Sequence, residues 1–286
     1  SLRAQASSFY STYSLSLVEP WLGGRQPIQF STSFSHTVQY FFDFRTADVD
    51  RSRRFLITGG SIGLAKRLKW PDDSFILSHA VSFQHYNLKN YNTGLFTFGD
   101  GSSNNLAYTI GINRNNTFTN PIFPLGGSDF GITAKLTPPF SLFNNVDFNN
   151  LENLPQYQHP DGSPNQAKID QEKFGWLEYY KVKFKGLWYT RIIDQLVLKS
   201  HVEFGFLGAY NNARGVPPFE RFFVGGDGLG AFSLDGREVI SLRGYPNQSL
   251  SNFDGNTIFN KFSLELRYPI TLKPMASIYA LTFIDG

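Results

Sequence analysis

Apolar and polar residues alternate along unusually long stretches of this chain. At 28–44 the even positions are largely aromatic or aliphatic, whereas most odd positions carry Ser, Thr or Gln. The contrast is sharper at 178–192, where large apolar residues alternate with Lys and Arg, and it returns at 196–210 and 261–268. Successive side chains of a strand point to opposite faces, so this pattern predicts β-strands with one apolar and one polar face.

The length of these runs separates a membrane barrel from a soluble β-sandwich, whose strands also alternate. Soluble strands average about five or six residues, and a membrane-crossing strand needs roughly 9–11; the run at 28–44 is longer than both. Charged residues are only 17% of the chain, while 16% are aromatic; a soluble domain has about 25% charged residues. Aromatic residues also gather near the predicted strand ends, as in an interfacial girdle: Trp21, Tyr40, Phe42, Trp70, Trp188, Tyr189 and Tyr268. These features favour the membrane barrel.

Composition excludes several other classes of protein. Hydrophobic residues reach 41% and mean hydropathy is −0.25. No stretch of roughly 18 apolar residues occurs, so a membrane-spanning helix is excluded. The absence of cysteine excludes disulfides and thiolate metal ligands. The net charge of +3 comes without a clustered basic face, so we expect no nucleic-acid partner.

We therefore predict an all-β fold, a transmembrane antiparallel β-barrel that occupies residues 1–286 as one domain. About eleven strands are expected, at 2–8, 10–20, 27–44, 53–67, 74–91, 104–118, 127–139, 177–192, 196–212, 258–270 and 274–285. Short turns suit the periplasmic side: Pro20–Pro27, Lys69–Asp73, Pro121–Gly127 and Pro269–Pro274. Two long polar connections, 140–176 and 213–257, suit the outside. Bacterial barrels have even strand numbers, so we expect an incomplete barrel whose first and last strands are absent.

Three segments are distinctive for the order of their residues, which is more specific than the residue types alone. The first is a turn at 120–128, which reads NPIFPLGGS. The second lies in the second long connection: it reads PPFERFFVGG at 217–226 and continues with LRGY at 242–245. The third combines SLEL at 263–266 with FIDG at 283–286, in the last two predicted strands.

Together these segments resemble the BamA family, outer-membrane proteins that fold other barrels into the membrane. In that family a long loop folds back into the barrel, and its Val-Arg-Gly-Phe/Tyr tip docks on the inner wall. The corresponding tip here is Arg243, Gly244 and Tyr245, preceded by Leu242 where the family has Val. The resemblance implies that Glu265 and Asp285 receive the arginine. It covers nearly the whole chain, from about the third to the thirteenth of some sixteen strands, without the family's periplasmic POTRA domains.

The chemistry of this implied anchor is simple. An arginine guanidinium can bond two carboxylates with charge-assisted hydrogen bonds and so hold a loop in one position. Glu265 and Asp285 both occupy odd positions, which form the polar face expected to line the lumen. The alternative is that Arg243 is a solvated loop residue, as loop arginines usually are. The residues alone favour that alternative, and the resemblance favours the anchor.

Other candidate sites have simpler interpretations. The glycine-rich segment 225–230 lacks the Gly-Lys-Ser/Thr of a phosphate loop, so we expect a flexible loop base. The five histidines show no metal-ligand spacing, and no Ser, His and acid constellation points to catalysis. Lys181, Lys183 and Lys185 are expected to line a wet lumen rather than to filter anions. We therefore expect no enzymatic activity, no metal and no cofactor.

The resemblance implies a function in the outer membrane of a Gram-negative bacterium, namely the folding and insertion of other β-barrel proteins. The implied partners are unfolded outer-membrane client proteins, accessory outer-membrane lipoproteins, periplasmic chaperones and the lipid bilayer. In the family, an exposed edge at the seam between the first and last strands templates incoming strands. A related exporter or autotransporter-assembly barrel of the same superfamily and a passive porin or transporter remain alternatives.

Overall fold

Eleven strands form one antiparallel sheet in the computed structural model, which describes residues 1–24, 28–43, 45–94, 97–117, 122–227, 237–273 and 275–286. They are β1 (Leu2–Ala6), β2 (Tyr10–Glu19), β3 (Ile28–Asp43), β4 (Asp48–Arg67), β5 (Phe75–Lys89), β6 (Gly101–Asn115), β7 (Gly127–Leu136), β8 (Tyr180–Ile193), β9 (Leu196–Gly208), β12 (Ile258–Lys273) and β13 (Ala276–Asp285). Each strand pairs with the next along the chain, except that β9 pairs with β12. The strands β10 (Phe222–Val224) and β11 (Glu238–Ile240) form a separate parallel pair in the connection between them. The predicted antiparallel, eleven-stranded all-β fold is confirmed.

Strand ends differ from the predicted ones for local reasons. β4 begins at Asp48 rather than at 53, because the β3–β4 hairpin continues past a register shift between Tyr40 and Phe41. β12 continues to Lys273, so the turn predicted from Pro269 is wrong in its first part. A register shift directly after Pro269 accommodates this proline, which has no N–H to donate to the ladder. Positions 27, 44, 118 and 274, which the predicted strands or turns include, lie outside the described residues.

The two faces of the sheet separate as the alternation predicts. On one face, Phe34, Ile62 and Phe262 leave 52%, 59% and 50% of their surface exposed. On the other face, Lys183 and Glu265 contact the β9–β12 connection. An apolar face turned outward and a charged face turned toward a folded connection is the reverse of a soluble sandwich, and it is the arrangement of a membrane barrel.

Residue parity does not stay the same from strand to strand, although the alternation keeps the same parity through much of the chain. In the β4–β5 ladder, Phe83 lies opposite Gly60 and Val81 lies opposite Ile62. Residues directly opposite each other share a face, so the odd positions of β5 face outward. The register set by the β4–β5 turn causes this switch, and sequence numbering alone assigns the faces of β5 wrongly.

A contact between distant strands shows that the sheet is curled. Phe123, in the turn between β6 and β7, lies with its ring 5.4 Å from that of Tyr279 in β13. Along the sheet, β7 and β13 are four strand spacings apart, which is roughly 19 Å in a flat sheet. The contact therefore requires the inner face to be concave. Within the described residues, β1 and β13 each pair on one side only, so the curled sheet is open along these edges.

The core lies on the concave face, between the sheet and the long connections. Its largest cluster includes Phe55, Tyr86, Leu88, Phe98, Phe174, Leu177, Tyr179, Leu207, Phe219, Phe222, Phe223 and Phe259. Residues 137–179 are compact rather than an irregular polar connection. They contain the helix α1 (Gln166–Phe174), whose N-cap Asn165 accepts a hydrogen bond from the Lys168 N–H. No helix of the described residues is long and apolar enough to cross a membrane.

Candidate functional site

Arg243 reaches from the β9–β12 connection to the last two strands of the sheet. Its Nε lies 2.6 Å from Asp285 Oδ2 and its Nη2 lies 2.7 Å from Asp285 Oδ1, which is a bidentate pair. Nη2 also lies 3.0 Å from Glu265 Oε1. The structure thus brings together the three charged residues that the sequence pointed to. The guanidinium bonds two carboxylates at once.

The β12–β13 ladder explains why the two carboxylates meet. Ser263 is directly opposite Asp285, and Glu265 follows two residues later on the same inward face. The Ser263 hydroxyl donates a hydrogen bond to Asp285 Oδ1 at 2.5 Å and accepts one from Arg243 Nη2 at 3.1 Å. The ring of Phe283, also on this face, has its centroid 3.6 Å from Arg243 Cζ. The arginine is therefore held by two charges, a hydroxyl and an aromatic face.

The carboxylates of this site are shielded from solvent, whereas the arginine is partly exposed. Side-chain exposure is 39% for Arg243 but only 5% for Asp285 and 6% for Glu265. Glu265 also pairs with Lys199 at 3.2 Å and with Arg267 at 2.6 Å. Because these two cations stay when Arg243 leaves, Glu265 never lacks a partner. Asp285 depends more strongly on Arg243.

The other two residues of the tip contribute differently. Gly244 has φ +85°, a left-handed conformation that side-chain-bearing residues rarely adopt, and nothing lies near its missing Cβ. Glycine is therefore needed here for the conformation of the turn and not to make room for a neighbouring atom. Tyr245 leaves 44% of its surface exposed. In the described part of the chain, it is Arg243 that docks the tip on the inner wall.

A second charged cluster lies at the beginning of the same connection, and the sequence did not reveal it. Glu220 is 8% exposed, and its Oε1 accepts hydrogen bonds from Lys135 at 2.6 Å, Tyr179 at 2.7 Å and Asn105 at 3.1 Å. Lys181 Nζ donates to the Glu220 carbonyl oxygen at 2.8 Å. Residues from β6, β7 and β8 and from the segment before β8 thus converge on one loop carboxylate.

Electrostatics keeps this carboxylate ionised. Burial by itself would raise the pKa of Glu220, but the charges of Lys135 and Lys181 and the hydrogen bonds outweigh it and lower the pKa to about 2. The signal available in the sequence was a single charge pair, Glu220-Arg221, inside the otherwise apolar string at 217–224. A charge flanked by aromatic residues is usually paired when it is buried.

The lysines of β8 are not the uniform wet wall that the sequence predicted. Lys181 is 5% exposed and also contacts Glu238 at 2.7 Å, and Lys183 contacts Glu238 at 2.8 Å. Lys183 is still 41% exposed and Lys185 is 62% exposed, so these two lysines are solvated as expected, whereas Lys181 is not. The correction has a tertiary cause, since Glu220 and Glu238 arrive from the folded-back connection.

The predicted flexible glycine-rich base is also wrong in its described part. Gly225 has φ +115°, and a Cβ there would lie 2.7 Å from the Pro246 carbonyl oxygen. Gly226 pairs with Leu242 in an isolated bridge. These glycines allow close packing at the end of the β10–β11 pair. Residues 228–230 of the segment, like Asn120 and Pro121 of the predicted turn, lie outside the described residues.

Arg214 joins the two long connections, and sequence reasoning missed it as well. It is 3% exposed and lies 2.8 Å from Glu178 Oε2, in a pair whose acid is 1% exposed. It also donates to the carbonyl oxygens of Lys173, at 2.7 Å, and of Trp176. Lys173 lies in the last turn of α1 and Trp176 follows the helix, where unpaired carbonyl acceptors attract a cation. No sequence signal that we know of links the two segments.

The site holds a loop in place and offers no arrangement typical of a reaction centre. Among the described residues, no group of three His, Asp or Glu side chains is close enough to hold a metal ion. What the arrangement does is fix the β9–β12 connection to the inner wall at several points. A curled antiparallel sheet with an apolar outer face and a loop docked inside defines an outer-membrane β-barrel protein.

Comparison with known proteins agrees with this class. The sequence profile of the Omp85 superfamily domain matches residues 1–286, and the chain belongs to that superfamily. A comparison with curated proteins finds no match.

Two solved structures are similar to the chain. BamA from Haemophilus ducreyi, solved without POTRA domains 1–3, matches with a TM-score of 0.63 and 18% identity, over 99% of this chain and 50% of that chain. CdiB from Escherichia coli matches with a TM-score of 0.46 and 13% identity, over 96% of this chain and 42% of that chain. The chain spans about half the length of the BamA structure. The first match confirms the resemblance to a BamA barrel at the level of the fold.

Proposed function

We propose that the protein folds other β-barrel proteins and inserts them into the bacterial outer membrane. The observation that carries the proposal is the docking of Arg243 on Asp285 and Glu265. It places the loop tip where the resemblance to BamA implies that it belongs, in a chain that is an Omp85 superfamily member. A loop fixed to the inner wall gives the barrel interior a defined shape for contact with a client.

The proposed partners follow from this role. They are unfolded outer-membrane barrel clients, accessory outer-membrane lipoproteins, periplasmic chaperones and the bilayer itself. We propose no cofactor and no enzymatic step, since strand templating at a sheet edge needs neither. The residues of this chain would contribute by holding the loop, while the seam strands that the resemblance implies would pair with the client.

A passive porin is the weaker alternative, because of what fills the concave face. Phe55, Tyr86 and Phe219 are buried there in one aromatic cluster, with Tyr86 and Phe219 stacked at 4.6 Å. A porin needs a polar, water-filled path at this position. The related exporter has no such argument against it and is separated by experiment.

The test uses the full-length protein in liposomes, with a urea-denatured outer-membrane barrel as the client. We expect faster appearance of the folded, heat-modifiable client than in empty liposomes, and slower appearance with Arg243→Ala. Lys185→Met, an exposed inner-face change far from the anchor, is the matched control. No acceleration together with porin-like flux of small solutes would favour the porin. Passage of a client into the liposome interior without its insertion would favour the exporter.

A further inference from the structure

The two charged clusters of the β9–β12 connection are joined by a short ribbon. β10 and β11 pair in parallel, with Phe222 opposite Glu238 and Val224 opposite Ile240. Just past the two strands, the Leu242 N–H donates to the Gly226 carbonyl at 2.9 Å in an isolated antiparallel bridge. Because the strands are parallel, residues that precede them lie at one end of the ribbon and residues that follow them lie at the other.

One end of the ribbon carries the acidic cluster. Glu220 lies two residues before β10, Glu238 begins β11, and both contact Lys181. Lys135 is 2.6 Å from Glu220. The centre of this cluster is buried, since Lys181 is 5% exposed and the Glu220 side chain is 10% exposed, whereas Lys135 and Glu238 at its margin are 25% and 28% exposed. Its contacts reach β7 and β8.

The other end of the ribbon carries Arg243, which follows the Gly226–Leu242 bridge directly. Its contacts reach β12 and β13 and are partly exposed to water. The ribbon therefore spans the concave face between two walls of the sheet. Two short strands joined by hydrogen bonds transmit the position of one end to the other better than a flexible loop does.

We propose that Glu220 is the positioning residue for Arg243. By fixing the acidic end of the β10–β11 ribbon on β7 and β8, it places the guanidinium within reach of Asp285 and Glu265. Loss of the Glu220 charge leaves the Lys135 ammonium without this carboxylate and Lys181 with Glu238 alone, so the ribbon end is held more weakly and the uncompensated positive charge favours entry of water into its seat. The inference holds whichever transport or assembly function the protein performs.

Apolar packing offers a competing explanation for the position of the ribbon. Phe222 packs edge-on against Phe259 at 4.7 Å, above Gly205, where an added Cβ would lie 2.7 Å from the Phe222 ring. If these rings alone hold the ribbon, the charge of Glu220 is dispensable. The experiment must therefore change charge without changing the packing.

Cleavage by trypsin after Arg243 measures release of the tip, because a guanidinium docked on Asp285 and Glu265 cannot enter the protease. We would treat the full-length protein in detergent with trypsin and follow the Arg243–Gly244 bond by mass spectrometry. The wild type should be cleaved slowly there. Glu220→Gln should accelerate cleavage by at least about tenfold, through coupling between residues that do not touch.

A second charge change that compensates for the first distinguishes a positioning role of Glu220 from a general loss of structure. The double variant Glu220→Gln, Lys135→Met removes one negative and one positive charge together, and we expect cleavage to return to within about threefold of the wild type. Lys185→Met should not change the rate. If Glu220→Gln gives no inserted barrel, Glu238→Gln removes a carboxylate from the same end and should accelerate cleavage less strongly. Wild-type protection in Glu220→Gln, or acceleration that Lys135→Met does not reverse, would overturn the proposal.

Discussion

At the scale of single residues, the three anchors of the β9–β12 connection, Arg243, Glu220 and Arg214, differ in their access to water. The Arg243 pair has partly exposed surroundings, whereas Glu220 and Arg214 are enclosed. Breaking an enclosed ion pair leaves a charge that water cannot reach, so it costs more than breaking an exposed pair. The three sites should therefore respond differently to substitution.

For the tip anchor, we expect Arg243→Ala to leave the barrel inserted but to loosen the loop. Since Arg243 is 39% exposed, the loss of stability should be roughly 1–2 kcal/mol rather than the full cost of a buried pair. The readout is the temperature at which the folded band disappears on unboiled gels. Asp285→Asn should have a similar effect and Glu265→Gln a smaller one, because Lys199 and Arg267 also bind Glu265.

Double-mutant cycles test whether these residues act together. Arg243→Ala combined with Asp285→Asn should cost less than the sum of the single changes, because both remove the same interaction. Strict additivity would show that the two side chains do not meet in solution.

For Arg214, we expect a larger effect that is local to the long connections. Arg214→Ala leaves the Glu178 carboxylate without its cation and should destabilise the docked connections by about 3–5 kcal/mol. Arg214→Lys should not rescue, because a lysine cannot bond Glu178 and the carbonyls of Lys173 and Trp176 at the same time. Hydrogen exchange of 137–179 measures the effect. Full protection in Arg214→Lys would contradict this account of its role.

The pKa of Glu220 predicts a broad pH range for docking. Its folded-state value, about 2, is below its ordinary value of 4.5, so the carboxylate stabilises docking fully above pH 4.5. This contribution decreases as the pH falls toward 2. Hydrogen exchange of 218–224, corrected for its intrinsic rate, should be constant from pH 8 to 5 and rise below about pH 4. Loss of protection between pH 7 and 5 would be inconsistent with the lowered pKa.

At the scale of elements, the ladder rather than the numbering decides which residues face lipid. Phe34, Val182 and Phe204, at even positions, face outward, as the alternation predicts. Lys183, Lys199 and Glu203, at odd positions, face inward. β5 reverses this order, and it offers the sharper test.

We expect cysteines at Phe204 and Val81 to react with a lipid-soluble reagent and a cysteine at Lys183 with a water-soluble one. Val81 is the informative position, because it is odd in number but opposite Ile62 in the ladder. Gln84, an even position of β5, is its matched control and should react from the aqueous side. Labelling of Gln84→Cys only from the lipid phase would show that the β4–β5 register is wrong.

At the scale of the whole molecule, the two longest connections, 137–179 and 209–257, lie at one end of the sheet, and the turns predicted to be periplasmic lie at the other. This follows from the strict antiparallel order of the strands. The connections 137–179 and 209–257 lie at the same end and are locked together by Arg214 and Glu178. If this end faces the cell exterior, both connections are accessible from outside.

We expect chymotrypsin added to intact cells to cleave at Phe143 and Phe253, whose side chains are 79% and 84% exposed. It should spare Phe123, which is 1% exposed and lies in the turn at the opposite end. Fragment masses identify the sites, and a periplasmic protein serves as the control for cell integrity. Cleavage next to Phe123 in sealed cells would invert the proposed topology.

The sequence by itself determined the strands and their order, whereas the charged residues of the tip anchor came from the resemblance to a known family. Period-two alternation is a local property, and so is a turn, so the eleven strands of the sheet could be located within a few residues. Arg243, Glu265 and Asp285 were found because their motifs resemble those of a known family. Strand parity then placed both acids on one face.

Only the tertiary structure decided what meets on the concave face. The burial of Lys181, the buried position of Glu220 and the Arg214–Glu178 ion pair join segments that are between 36 and 115 residues apart in the chain. No local pattern encodes such contacts, because they depend on where a long connection crosses the curled sheet. The outward turn of odd residues in β5 has a similar origin, since ladder register depends on how each turn closes.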